Sequence, residues 1–266
     1  MNDAERPEIA VIGGSGFYTF LADPREVEVD TPYGKPSAPI AIGSVGGRTV
    51  AFLPRHGPHH NFPAHKVNYR ANLWALRSLG VRQVLAPCAV GGLQVEYGPG
   101  TFLVPDQLID RTTARIQTFY DEGACHISFA DPYCPRLRGH LLDGLTGQQP
   151  VDGGTMVVIE GPRFSTRAES QWYAAQGWAI VGMTSHPEAV LARELALCYA
   201  TVALVTDHDA GVDEASAVNV DAVFEVFAAH TDTLKSALTD VVSQLGERDC
   251  SCSHAVDGMD LPVTLP

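Results

Sequence analysis

Residues 68–92 read NYRANLWALRSLGVRQVLAPCAVGG, and this stretch decides the fold class. Leu73, Leu76 and Leu79 recur at helical spacing, so the pattern predicts a helix over 68–79 that Gly80 stops. Gln83–Val90 is then a short run, apolar from Val84 onward. It reads as a buried strand ending in Gly91-Gly92. A helix feeding a buried strand is the unit of α/β architecture.

The same alternation extends in both directions. Upstream, 8–12 is a strand that ends in Gly13-Gly14-Ser15-Gly16, and 39–45 with 48–53 form a hairpin around Gly46-Gly47. Downstream, strands are expected at 101–105, 155–160, 178–183 and 199–206, and helices at 134–145, 166–176, 187–197 and 219–245. Residues 111–135 have no clean period and are expected to form a long functional loop. The hairpin argues against a purely parallel sheet. The expectation is a single α/β domain with a mixed sheet over 1–246, followed by a polar C-terminal tail, 247–266, with no clear element.

Composition narrows the function. The chain has 266 residues, 45% hydrophobic and 18% charged, which fits a folded globular protein. Its net charge of −13 repels nucleic acid and anionic membranes, so neither is expected as a partner. A phosphate ligand requires a locally positive pocket. Neither a secretory signal nor a run of about 18 apolar residues is present, so a cytoplasmic location is expected. The six cysteines are scattered and expected to be mostly free thiols.

Six stretches can carry chemistry. Gly13-Gly14-Ser15-Gly16 lets backbone N–H groups approach an anion, or is a tight turn. It is neither a dinucleotide fingerprint, because Thr19 stands where the third glycine belongs, nor a P-loop. Arg55-His56-Gly57 pairs a side chain suited to phosphate with a histidine that is a second ligand or a nucleophile. The triplet also begins the histidine phosphatase motif, though Pro58-His59-His60 does not continue it. In 159–170, Thr166 and Glu169 form a capping box. Phe164 is left at a loop tip, where a ring can stack on a flat ligand. Thr184, before a helix start, either completes an anion site or caps the helix with Ser185. Asp207 and Asp209, around His208, share a face if the strand stays extended, and two carboxylates in one site keep a proton on one of them. The bland alternative is a solvated acidic loop. Cys250-Ser-Cys252 reads as an incidental pair dispensable for catalysis, with a redox disulfide or a metal site including His254 as alternatives.

Nine segments in series carry a resemblance: IGGSGFY (12–18), DTPYGKPS (30–37), RHGPHH (55–60), HKVNYRANLWAL (65–76), QLIDRTT (107–113), CHISFADPYCP (125–135), MVVIEGPRFSTRAES (156–170), VGMTSHPE (181–188) and VTDHD (205–209). Together, over 8 to about 245, they resemble the trimeric purine nucleoside phosphorylase superfamily, most closely its methylthioadenosine-cleaving branch. The resemblance implies a mixed α/β sandwich around a distorted barrel, assembled as a homotrimer. It implies that inorganic phosphate attacks the anomeric carbon of S-methyl-5′-thioadenosine with inversion, releasing adenine and 5-methylthio-α-D-ribose 1-phosphate, with no metal or organic cofactor. A phosphorylase of 6-oxopurine nucleosides or methylthioinosine is the neighbouring alternative, and a histidine phosphatase the remote one.

Carried onto this chain, the resemblance puts phosphate at Ser15, Arg55, His56, Cys88, the Ala89 backbone and Thr184. Many relatives have Thr where Cys88 stands. Met183 lies under the ribose, Phe164 and Ser165 line the base pocket, and Asp207 and Asp209 meet purine N7 and the 6-substituent as the catalytic pair. His126, from a neighbouring subunit, with Val220 and Val223, faces the 5′-substituent. An aspartate at 207, where 6-oxopurine enzymes carry Asn, favours a 6-amino base.

Overall fold

The computed structural model describes residues 6–123, 125–212 and 219–266. Strands β1 (Ile9–Gly13), β2 (Arg25–Val27), β3 (Ile40–Val45) and β4 (Arg48–Pro54) precede helix α1 (Tyr69–Ser78). Strands β5 (Gln83–Gly92), β6 (Phe102–Val104) and β7 (Gln107–Arg111) lead to α2 (Pro135–Gly144). The chain continues through β8 (Val151–Asp152), β9 (Thr155–Ile159), α3 (Arg167–Ala175), β10 (Ile180–Gly182), α4 (Ser185–Glu194), β11 (Cys198–His208) and α5 (Val220–Gln244).

Three helix starts, those of α1, α3 and α5, lie directly after a capping residue. The Asn68 side chain accepts from the Ala71 N–H, Asn219 caps α5, and Thr166 with Glu169 closes the expected capping box on α3. Gly80 ends α1 at a φ of +111°, which a side chain would resist.

Among the described residues eleven strands form one mixed sheet: eight run in the order β2-β3-β4-β1-β5-β10-β9-β7, a path that does not return on itself, and β11, β6 and β8 branch from β5 in that order. β5 is the branch point. On one edge it pairs first with β1 and then, at Gly91 and Gly92, with β10; along its other edge it pairs with β11. A strand occupied on both edges exposes little to water, which accounts for its nearly unbroken apolar sequence.

Alternation along the strands divides the core. Ile9 and Val11 join Leu137 and Leu141 of α2 and Phe227, Leu234, Leu238 and Val241 of α5. Ala10 and Ile12 join Leu73 and Leu76 of α1 and Leu191 of α4. Helices therefore cover both faces. None among the described residues is long and apolar enough to cross a membrane.

Two expectations need correction. The short strands β2, β7 and β8 were not foreseen, because two to five residues give too little period to read. The tail is also not loose. Ser251–His254 forms a 3-10 turn, Cys252 is buried in the first core, and Leu261, Val263 and Leu265 pack against the second. Its apolar residues are too sparse to show a pattern, yet enough of them reach the core to anchor it. His254 bonds Asp257 in solvent and takes no part in the cysteine grouping described below.

Candidate active site

A cavity of about 320 Å³ opens where β5 divides. It gathers Ser15 from the turn after β1, Arg55 and His56 after β4, Cys88 and Ala89 of β5, Phe164 after β9, Met183 and Thr184 after β10, Asp207 and Asp209 at the end of β11, and Val220 and Val223 of α5. These strand ends converge because the sheet is splayed at its branch point, the position where open α/β sheets form their crevices.

The anion-facing end is built on Arg55. Its Nε and Nη2 donate to the two Glu188 carboxylate oxygens, both at 2.7 Å, and both side chains are 1% exposed. The Tyr199 hydroxyl, 2.9 Å from Glu188 Oε2, holds the carboxylate from the other side. Burial disfavours the guanidinium charge, but the Glu188 carboxylate more than offsets it, and Arg55 stays firmly protonated. Nη1 is the nitrogen left over, with only a long 3.4 Å contact to the Pro87 carbonyl. It faces Gly14, where a Cβ would come within 3.1 Å of it. A glycine there keeps this nitrogen open.

His56 is held neutral. Burial, then the adjacent Arg55 charge, pushes its pKa down to about 3. Its Nδ1 lies 2.8 Å from the Phe62 carbonyl. A carbonyl only accepts, so Nδ1 carries the proton and Nε2 is left as an acceptor. His60 stacks on the ring with centroids 4.4 Å apart. Thr184 precedes α4 but makes no side-chain cap bond, so its hydroxyl is free for the cavity. The capping alternative does not hold for it. Ser185 instead bonds Tyr133 at 2.8 Å.

The acidic end lies three residues further along β5. Gly14 crowds Cys88, whereas Asp207 is in register with Gly91, a separation of roughly 10 Å at about 3.3 Å per residue. A bulge between Val205 and Asp207 inserts Thr206, whose Oγ1 lies 2.9 Å from Asp207 Oδ2. Burial, opposed by the Thr206 hydroxyl and reinforced by Asp209, raises the Asp207 pKa to about 6. Asp209 is 2% exposed and accepts a short hydrogen bond from the Ser170 hydroxyl. With Asp209 buried and Asp207 half-buried, the pair is not a solvated loop. Val220 and Phe224, 50% and 38% exposed, form an apolar rim on α5.

Two of the residues expected here stand apart. Ser165 is buried beside Phe164 but does not line the cavity, and its hydroxyl has no partner among the described residues. His126 is exposed and lies outside the cavity of its own chain.

Several residues at the site escaped sequence reasoning. His60, Pro63, Ala64 and Phe224 line the cavity. Arg115, from the aperiodic loop, is almost wholly buried. It donates to the carbonyls of Met183 (2.7 Å), His186 (2.5 Å), Ile159 (3.2 Å) and Glu160 (2.7 Å). One guanidinium thereby ties the end of β9 to the segment that runs from β10 into the first turn of α4. The only signal for it was an arginine in a long loop without a period.

Comparison with known proteins agrees with this geometry. Residues 8–245 match the model of the phosphorylase superfamily. A protein of Mycolicibacterium smegmatis named S-methyl-5′-thioadenosine phosphorylase is 57% identical, covering 97% of this chain and 99% of its own. A protein of Streptomyces coelicolor named purine nucleoside phosphorylase is also 57% identical, with both chains fully covered. The Schistosoma mansoni methylthioadenosine phosphorylase in complex with adenine superposes with a TM-score of 0.87 at 38% identity, covering 91% of this chain and 93% of that one. A phosphatase chemistry at Arg55-His56 has no place in such a match, for by family model, sequence and fold alike this chain belongs to the phosphorylase superfamily.

Proposed function

We propose that this chain catalyses the phosphorolysis of S-methyl-5′-thioadenosine to adenine and 5-methylthio-α-D-ribose 1-phosphate, a pentosyl transfer that salvages purine and methylthioribose. The observation that carries the reading is the pairing, in one cavity, of an anion-facing end at Arg55 with a half-buried carboxyl at Asp207 whose pKa is raised to about 6. A nucleophile that is already an anion needs placement, and a leaving purine needs a proton. The cavity offers one at each end.

In this mechanism Ser15, Arg55 Nη1, the Cys88–Ala89 backbone and Thr184 hold phosphate. Neutral His56 accepts a hydrogen bond at Nε2 from the proton that phosphate keeps. A phosphate oxygen forms the new bond to the anomeric carbon as the bond to purine N9 breaks, and that electron pair passes into the purine. Protonated Asp207 donates to N7, which keeps the leaving base from departing as an anion. Asp209, fixed by Ser170, holds up the Asp207 pKa through like charge. Met183 supports the ribose, Phe164 the base, and Val220 and Val223 take the methylthio group; Ser165, behind Phe164, stays outside the cavity. Inorganic phosphate is the co-substrate, and the reaction draws on no metal or organic cofactor.

His126 serves the site of a neighbouring protomer, and the working form is a homotrimer. The catalytic domain spans 1–246, with 247–266 an appended tail, and the location is cytoplasmic. The relatives carry both methylthioadenosine and purine nucleoside names, so the deciding experiment is a substrate panel. Methylthioadenosine, adenosine, methylthioinosine and inosine are compared with and without phosphate or arsenate. Methylthioadenosine is expected to lead, with turnover only when the anion is present. Base release in anion-free buffer, or a preference for the 6-oxo nucleosides, overturns the reading.

A further inference from the structure

Four of the six cysteines meet at one point. Cys134, Cys198, Cys250 and Cys252 have all their sulfurs within 4.8 Å of one another, and three of the four side chains are buried. The Sγ of Cys250 lies 3.3 Å from that of Cys198 and 3.6 Å from that of Cys134. All four are free thiols. They come from three separate segments: the residue before α2, the first residue of β11, and the C-terminal tail.

Four thiols facing a common centre differ from two thiol pairs. A zinc–thiolate bond is about 2.3 Å, so a regular tetrahedron around zinc has sulfur–sulfur edges of about 3.8 Å. The Cys250–Cys198 and Cys250–Cys134 pairs, at 3.3 and 3.6 Å, lie close to that value, and every pair stays within 4.8 Å. Four protein ligands close the coordination shell and leave no position for water or substrate, the signature of a structural site. The position agrees. Cys198 opens β11 and Asp207 lies nine residues on, so the cluster is roughly 30 Å from the reacting carboxyl. Cys134 also stands at the N-terminal end of α2, where the helix dipole favours a thiolate.

We propose that Cys134, Cys198, Cys250 and Cys252 bind one zinc ion that fastens the C-terminal tail to the base of the sheet. Binding converts four thiols to thiolates and releases their protons to solvent. Zinc is neither oxidised nor reduced, and no further reactant is required. The metal holds the fold together and takes no part in phosphorolysis, so this proposal stands or falls separately from the functional one.

The test begins with wild-type protein purified under reductant and without chelator. Metal analysis is expected to give one zinc per chain. Metal-free protein prepared by acid and chelation is expected to take up one cobalt(II) and develop the visible absorption of a tetrahedral cobalt–thiolate centre. The C250S/C252S variant is expected to lose that absorption and melt at a lower temperature, while keeping phosphorolysis at moderate temperature. C125S, outside the cluster, is expected to keep the absorption. Should the double variant fail to fold, the wild-type measurements decide alone. Reduced wild-type protein that takes up no cobalt and holds no zinc overturns the proposal. So does rapid alkylation at lysis showing the four sulfurs joined as two disulfides.

Discussion

Arg55 and Glu188 face each other as two planar forks, each nitrogen–oxygen distance 2.7 Å, in a spot that water does not reach. The pair joins the cavity to α4 and leaves a single guanidinium nitrogen for an anion.

Removing one partner of a buried pair costs about 3–5 kcal/mol, because the other charge is left uncompensated. Glu188→Gln should therefore lower the melting temperature by several degrees in phosphate-free buffer. Phosphate then supplies the missing negative charge, so it should raise the variant's melting temperature more than it raises that of wild type. Thermal scans with and without phosphate check this. An equal or smaller phosphate effect in the variant would mean that Arg55 does not touch the anion.

Asp207 should set base choice. Against a 6-oxo group, two acceptors face each other, at a cost of about 1–3 kcal/mol, so the wrong base should lose roughly 5- to 150-fold in kcat/KM. Asp207→Asn should depress activity on methylthioadenosine and narrow or reverse the gap to methylthioinosine. A second readout comes from its pKa, raised from 3.8 to about 6 by burial. The folded state holds this proton more tightly than the unfolded chain, so the contribution is full below about pH 4 and lost as pH rises through 6. Asp207→Asn should thus be stabilising at pH 7.5, by up to roughly 3 kcal/mol, and near neutral at pH 4. Urea melts at the two pH values test it, and an identical difference at both would contradict the protonated role.

Arg115 acts as a positioning residue. Truncating it strips four partly buried carbonyls of their donor, each worth about 1–3 kcal/mol. Arg115→Ala should destabilise by at least about 3 kcal/mol and lower kcat/KM ten-fold or more, because Met183 and Thr184 lose their anchor. Arg115→Lys, keeping one donor head, should recover part of the stability. Wild-type kinetics in a destabilised Arg115→Ala would confine the residue to the fold.

The subunit arrangement is checked by light scattering and by His126. A trimer of about three times 28.5 kDa is expected. His126→Ala should raise KM for methylthioadenosine several-fold and leave KM for phosphate nearly unchanged. A fully active monomer would end the shared-pocket idea.

Much of this molecule can be read from the chain. Periodicity places the long strands and all five helices, and Asn68, Thr166 with Glu169, and Asn219 mark where helices begin, because caps are local chemistry. Cavity residues such as Ser15, Arg55, Thr184 and Asp207 stand at strand ends, where turns and polar residues interrupt apolar runs. Arg115, Ser170 and Glu188 are different: their work depends on partners 39 to 133 positions away, a relation that no window of sequence contains. The same holds for Cys134 and Cys198, whose meeting with the tail only the packed structure displays.

The double occupancy of β5 also dictates when the protein can fold. One edge of this strand is paired only at its start by β1, made earlier in synthesis; the end of that edge waits for β10 and the whole other edge for β11, whose Thr201 bonds Ala86 across 115 residues of chain. While the ribosome is still making the second half, a long apolar strand stands with its backbone donors and acceptors unpaired, an edge onto which another nascent chain can zip. Closing so distant a pair is also slow. Yield from a fast expression host should therefore be limited by aggregation of half-made chains, and slowing translation or lowering temperature should recover soluble enzyme.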